Sequence, residues 1–267
     1  MLRRWCIPVG ALALVAGSMF AAASASAAPQ PHAAPAVNLV RTGGPAIHVT
    51  TPRTAARGGL LNAATSTNWS GYAANGGTYT TVTASWVEPS GTCTSGSQYS
   101  SFWVGLDGFS SGTVEQTGTD VDCHGRTASY YGWYEFYPNP SFSYNNAVSP
   151  GDHFTATASS TGGSGFSVTL SDTTKGWSHT TTGTVPGAAR SSAEAIIEAP
   201  CCTASGGILP LAHFSTAHFT GTTVNGSAIG NFSPTEIIMV NNSGTPKDSI
   251  TALSGGTSFS GTWLRSN

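Results

Sequence analysis

The chain has 267 residues, a formal net charge of −2 and only 8% charged residues, where about a quarter is usual for a globular domain. That balance excludes a protein that binds nucleic acid through a basic face. Beyond the first thirty residues no apolar run approaches the length needed to cross a bilayer, so no membrane partner is expected once the leader has gone.

The leader occupies residues 1–27. Arg3 and Arg4 precede an apolar run from about Val9 to Phe20, and Ala25, Ser26 and Ala27 suit signal peptidase. This is the layout of a secretory signal, so the protein is expected to be exported. Residues 28–64 are rich in Pro, Ala and Gly without sustained periodicity, which marks a linker or a propeptide. Arg41, Arg53 and Arg57 lie there with no acidic residue among them. A basic segment ahead of an acidic domain fits a propeptide held by charge that lets go when carboxylates protonate.

The domain proper is expected over residues 65–267, long enough for one substantial core. Its five basic residues face twelve acidic ones, leaving −7. At about pH 3 most carboxylates are neutral. The five cations and five histidines of this part then repel one another only mildly, which suits work in acid. Cys6 departs with the leader, and four cysteines remain in an exported chain. Three pairings are open; the favoured one joins Cys93 to Cys123 and leaves the neighbours Cys201 and Cys202 to each other. A metal site finds no CxxC and no nearby His pair, and neither a metal nor another cofactor is expected.

Short runs of Thr, Val, Tyr, Phe and Trp recur from "TYTTVTASWVEP" at residues 78–89 to "TSFSGTWLR" at residues 257–265, separated by Gly, Ser, Asn and Pro. Such spacing predicts an all-β sandwich or barrel. Only "AARSSAEAIIEA" invites a helix, and Ile196 with Ile197 keeps a strand open there.

Within "SGTVEQTGTDVDCHG", alternation puts Val114, Gln116, Gly118, Asp120 and Asp122 on one face and Glu115, Thr117, Thr119 and Val121 on the other. Neither face is plainly apolar, so one of them is solvated or lines a polar groove. "SYYGWYEFYP" places Tyr131, Trp133, Glu135 and Tyr137 together, and a carboxylate among aromatics belongs where a partner meets it. "FWVGLDG" repeats the pattern with Trp103 and Asp107, and "NWSGY" adds Trp69. With Gln116 and Asp120 these describe an aromatic-walled groove floored by amides and carboxylates.

The segments "NWSGY", "FWVGLDG", "VEQTGTDV", "YGWYEFYP" and "AEAIIE", spread over residues 68–198, resemble in order the glutamic peptidases, also called eqolisins or peptidase family G1. The resemblance implies an antiparallel β-sandwich of two large sheets, similar to the concanavalin-type jelly roll. It also implies a secreted, acid-active endopeptidase that acts as a monomer on proteins or peptides. The family's catalytic glutamine and glutamate map to Gln116 and Glu198, and its groove residues to Trp69, Trp103, Asp107, Asp120, Trp133, Glu135 and Tyr137. Glu198 is followed by "APCC" where the family has Asp and an aromatic, so Glu194, on the same face of a strand, stands as the alternative.

Peptide hydrolysis without a metal or covalent intermediate needs a base for water, an acid for the leaving amine and a donor for the oxyanion. An ordinary glutamate, with a pKa of about 4.3, is partly ionised at about pH 3 to 4 and can serve as base and then acid. Gln116 does not titrate, so its NH2 donates at any pH. A Ser, His and Asp triad lacks a GxSxG elbow, and its base would be protonated in acid. The rival is a jelly-roll enzyme or binder acting on glycans, which also uses aromatic walls and paired carboxylates.

Overall fold

A computed structural model describes residues 32–33, 44–48, 63–201 and 207–267. The expected signal, most of the linker or propeptide, and Cys202 lie outside the described residues. In chain order the strands are β1 (His32–Ala33), β2 (Ala63–Ser66), β3 (Trp69–Asn75), β4 (Thr81–Val87), β5 (Ser97–Leu106), β6 (Val114–His124), β7 (Thr127–Tyr137), β8 (Phe142–Ala147), β9 (His153–Gly162), β10 (Gly165–Asp172), β11 (Trp177–Thr184), β12 (Ser192–Glu198), β13 (Ala217–Val224), β14 (Ser227–Ala228), β15 (Thr235–Met239), β16 (Asp248–Ile250) and β17 (Phe259–Trp263). One 3-10 turn, Ile229–Phe232, interrupts them.

Two sheets form a sandwich. The first runs β1-β8-β7-β6-β5-β12-β3-β15-β2 and is antiparallel apart from the β15–β2 pair. The second runs β11-β10-β9-β4-β13-β17-β16, with β14 attached to β13. In β4 and β10 buried and part-exposed residues alternate strictly, as one covered face requires. The outward face explains the low charge content: Thr81 with Ser159, Thr83 with Thr157, Ser85 with Thr155, and Thr169 with Thr180 satisfy one another across strands.

The first sheet differs because its central strands are buried on both faces. Phe102, Val104, Leu106, Val121, Ala193, Ala195 and Ile197 face the inter-sheet core. The other face carries a second apolar cluster that includes Trp69, Trp103, Val114, Trp133 and Ile196. Double burial settles the ambiguous "AEAIIE" segment as β12, which bonds to β3 on one side and β5 on the other. Cys93 and Cys123 are joined, with Cα atoms 5.3 Å apart. Cys201 is disulfide-bonded as well. Among the described residues no helix is long and apolar enough to cross a membrane.

Candidate active site

The site is built on the face of the first sheet that points away from the second sheet. Register places Glu194, Gly105, Gln116 and Glu135 in one row across β12, β5, β6 and β7. Two residues along lie Ile196, Trp103, Gly118 and Trp133, and two further along Glu198, Ser101, Asp120 and Tyr131. Period-two alternation keeps all three rows on the same face. Gly118 is required there: a β-carbon at this position would lie 2.2 Å from the Phe102 carbonyl oxygen and 2.5 Å from Trp103 Cβ. The Trp103 indole is fully buried and edge-on to Trp69, with ring centroids 4.8 Å apart.

Glu198 sits at one end of that indole. Trp103 Nε1 donates to its Oε2 at 2.9 Å, and Asn68 Nδ2 approaches its Oε1 at 3.4 Å. Burial pushes the Glu198 carboxyl up to about 8, opposed by these donors and reinforced by nearby Asp120. An ordinary glutamate is partly ionised in acid; Glu198, so buried, is instead neutral there. Beside it lies a cavity of about 20 Å³ lined by Ser101, Asp120, Tyr131, Trp133 and Glu198, among others. That is room for one water between polar groups. Tyr131 Oη lies 2.9 Å from Asp120 Oδ2 and 3.1 Å from Asp122 Oδ2, with one proton to share between them. A larger cleft of about 650 Å³ opens beyond Thr67, lined by Lys247 and Asn241, and holds none of the candidate residues.

Gln116 is fully buried, and its Nε2 donates to Glu135 Oε2 at 2.8 Å. It lies two strands across and four residues along from Glu198, so register alone sets the two apart. Gly108, which follows β5, lies so close to Trp69 at the start of β3 that a β-carbon on it would be 2.8 Å from the indole ring. Trp133 and Tyr137 share Glu135's face and pack on the apolar cluster beneath it.

Asp107 has a different occupation. With φ of 69° it ends β5 in the left-handed region, and its carboxylate accepts the backbone N–H groups of Arg190 at 2.6 Å and Ser191 at 2.8 Å. It ties the loop ahead of β12 to the loop after β5. Glu194 is fully buried, and its carboxyl is raised well above the usual range by burial, with Asp107 adding to the effect.

Sequence reasoning passed over Asn68 and Ser66. Asn68 stands beside Trp69 in a quoted motif, yet an amide in a turn gives no periodic signal. Its importance appears only through partners distant in the chain. Residues 44–48 cross the rim of the groove: Ala46 N donates to Gly108 O at 3.0 Å, Thr67 N to Ile47 O at 3.0 Å, and Ile47 N to Asn68 Oδ1 at 2.8 Å. His48 Nε2 meets the Phe109 carbonyl, with its ring edge-on to Phe109.

A profile of the peptidase A4 family matches residues 67–262. Aspergillopepsin-2 of Aspergillus niger is 31% identical over 198 residues, covering 64% of this chain and 70% of its own length. Among solved structures, scytalido-glutamic peptidase with a transition-state analogue inhibitor superposes with a TM-score of 0.66 at 26% identity, over 74% of this chain and 98% of its own. Aspergilloglutamic peptidase from Aspergillus niger gives 0.56 at 29% identity, over 62% and 99%.

Proposed function

This chain belongs to the peptidase A4 family, the glutamic peptidases that hydrolyse peptide bonds, and on that premise we propose an exported, acid-active endopeptidase in which Glu198 and Gln116 act together on one water. The family's chemistry displaces the glycan-acting alternative. What supports the dyad is a single observation: Gln116 and Glu198 stand on the same face of the first sheet, two rows apart, with Trp103 and Trp133 in the row between them.

In the proposed step, ionised Glu198 takes a proton from water as the water oxygen bonds to the scissile carbonyl carbon. The oxygen that gains charge accepts a hydrogen bond from Gln116 Nε2, whose orientation Glu135 fixes. Glu198 then passes its proton to the leaving nitrogen, and the C–N bond breaks. Trp69, Trp103, Trp133 and Tyr137 offer walls for substrate side chains, and Asp120 borders the water-sized cavity. Asp107 shapes the rim by holding the 190–191 loop. The protein works as a monomer on unfolded proteins or peptides.

Purified, acid-incubated protein should digest a denatured protein between about pH 2 and 7 with an acidic optimum, undiminished by EDTA or pepstatin. Loss of activity with the chelator, or an optimum above about pH 6, would contradict the reading.

Residues 28–64 are proposed to be an inhibitory propeptide, and residues 44–48 give it a physical form. This strap binds the rim next to Glu198, whose buried carboxyl is protonated in acid and cannot act as base. Removing the strap admits water, lowers the desolvation penalty and returns Glu198 toward an ordinary glutamate. The bonds seen at the strap are to main-chain and amide groups; the arginines of a charge-held release lie outside the described residues. Terminal sequencing before and after incubation at about pH 3 should show a new start beyond residue 48 that appears together with activity. Full activity with an unchanged start near Ala28 would refute the inhibitory role.

A further inference from the structure

We propose that Asn68 is a clamp for the main chain of a bound peptide, used by the strap in this structure and by substrate once the strap has gone, and that the same amide positions Glu198. This rests on the peptidase reading above.

The amide is preorganised. Asn68 is fully buried, and Ser66 Oγ accepts the backbone N–H groups of Asn68 at 3.3 Å and Trp69 at 3.2 Å. With its lone pairs so used, the Ser66 hydroxyl gives its own proton to Asn68 Oδ1 at 2.7 Å. That bond turns the amide NH2 toward Glu198 and the strap. The Asn68 side chain then meets both polar groups on one edge of strap residue Ala46: Nδ2 donates to the Pro45 carbonyl at 3.3 Å, and Oδ1 accepts Ile47 N–H at 2.8 Å. The other edge of the strap is taken by Gly108 O, which accepts Ala46 N–H at 3.0 Å, while Thr67 N donates to Ile47 O at 3.0 Å.

Four bonds thus hold three residues of extended chain, and none involves a strap side chain. Such a track recognises peptide main chain of nearly any sequence, which is what an endopeptidase acting on unfolded protein requires. It discriminates where a strap N–H is used, at Ala46 by Gly108 O and at Ile47 by Asn68 Oδ1. The residue in the place of Ile47 must carry an N–H, because otherwise the buried Asn68 Oδ1 loses a partner. Asn68 does not titrate, so the clamp and its hold on Glu198 persist at any acidity.

The test is a set of peptide substrates N-methylated at each backbone amide in turn, assayed with acid-processed protein prepared from the full chain. With the wild type, methylation in the places of Ala46 and Ile47 should both cost activity, and the Ile47 place should lose about tenfold or more in kcat/KM, as expected when one buried acceptor is left unpaired. In Asn68→Ala that penalty should vanish while penalties elsewhere remain. Asn68→Asp retains an acceptor and should retain the penalty, which separates a clamp from general disruption of the groove. If Asn68→Ala does not fold, a synthetic peptide of residues 42–50 gives the second measure. It should inhibit the wild type, and N-methylation at Ile47 should weaken inhibition about tenfold. The same penalty pattern in Asn68→Ala and wild type, or equal inhibition by the methylated peptide, overturns the clamp alone. A processed wild type without peptidase activity overturns the peptidase reading and the clamp with it.

Discussion

The folded protein should be most stable below about pH 4.5 and should lose most of that stability as the pH rises toward 8. Six carboxyls, Glu88, Glu115, Asp122, Glu194, Glu198 and Asp248, are buried and held above their ordinary values, in each case chiefly by burial. Glu115 and Glu198 are pushed up to about 8 and Asp248 to about 7. The native state therefore binds more protons than the unfolded chain through this window, and stability falls as pH rises. It is fully present below the unfolded values near 4 and is lost as pH passes through the folded ones. All six act in the same direction, and a whole domain has only about 5–15 kcal/mol to lose. Lys247, lowered by burial to about 8, favours higher pH, but its effect begins only above that value and offsets none of the loss. Urea midpoints at about pH 3, 5.5 and 8 would show this. A stability that is flat or rises across the range would contradict the burial of these groups.

Replacements of Gln116 should separate its donor role from its place in the core. Gln116→Ala removes the proposed oxyanion donor and should lower kcat by about 10² to 10³, and further if the water is also misplaced. Gln116→Glu puts a carboxyl in the same buried place. The immediate neighbour is Glu135, 2.8 Å from the amide nitrogen, so the new carboxyl would share a proton with Glu135. Residual activity should then fall on raising the pH, since only the protonated pair can donate. Both variants need circular dichroism to confirm folding, because Gln116 is fully buried. Wild-type turnover in folded Gln116→Ala would remove it from the mechanism.

Much of this was legible in the sequence because strands write themselves in alternation. "TVTASWV" and "GFSVTLSD" show one covered face each, and "VEQTGTDV" stood out as a solvated strand or a groove lining because no apolar face can be drawn on it. Double burial of the first sheet was harder to see. "AEAIIE" carries its apolar and acidic residues without a simple period, since one face meets the sandwich core and the other the tryptophan cluster. The work of single polar residues was not legible. Asp107 lies in a motif shared with Trp103, yet its carboxylate is spent on backbone donors 83 and 84 residues away. Asn68 meets the strap 21 residues before it and Glu198 130 residues after. Burial likewise has no local signature, which is why an ordinary pKa could be assumed for Glu198 until its surroundings were known.

The most direct test of the account is the turnover of Glu198→Gln. The substitution preserves shape and removes the one group proposed to carry a proton, so a folded, acid-processed variant should bind a quenched peptide with nearly unchanged affinity and turn over nothing measurable above the uncatalysed rate. Glu194→Gln, made alongside it, should keep most of its activity, because Glu194 is packed against Asp107 and Ser192 and has no part in the proposed step. Near wild-type kcat/KM in a folded Glu198→Gln variant, or a dead Glu194→Gln beside an active Glu198→Gln, would contradict the assignment.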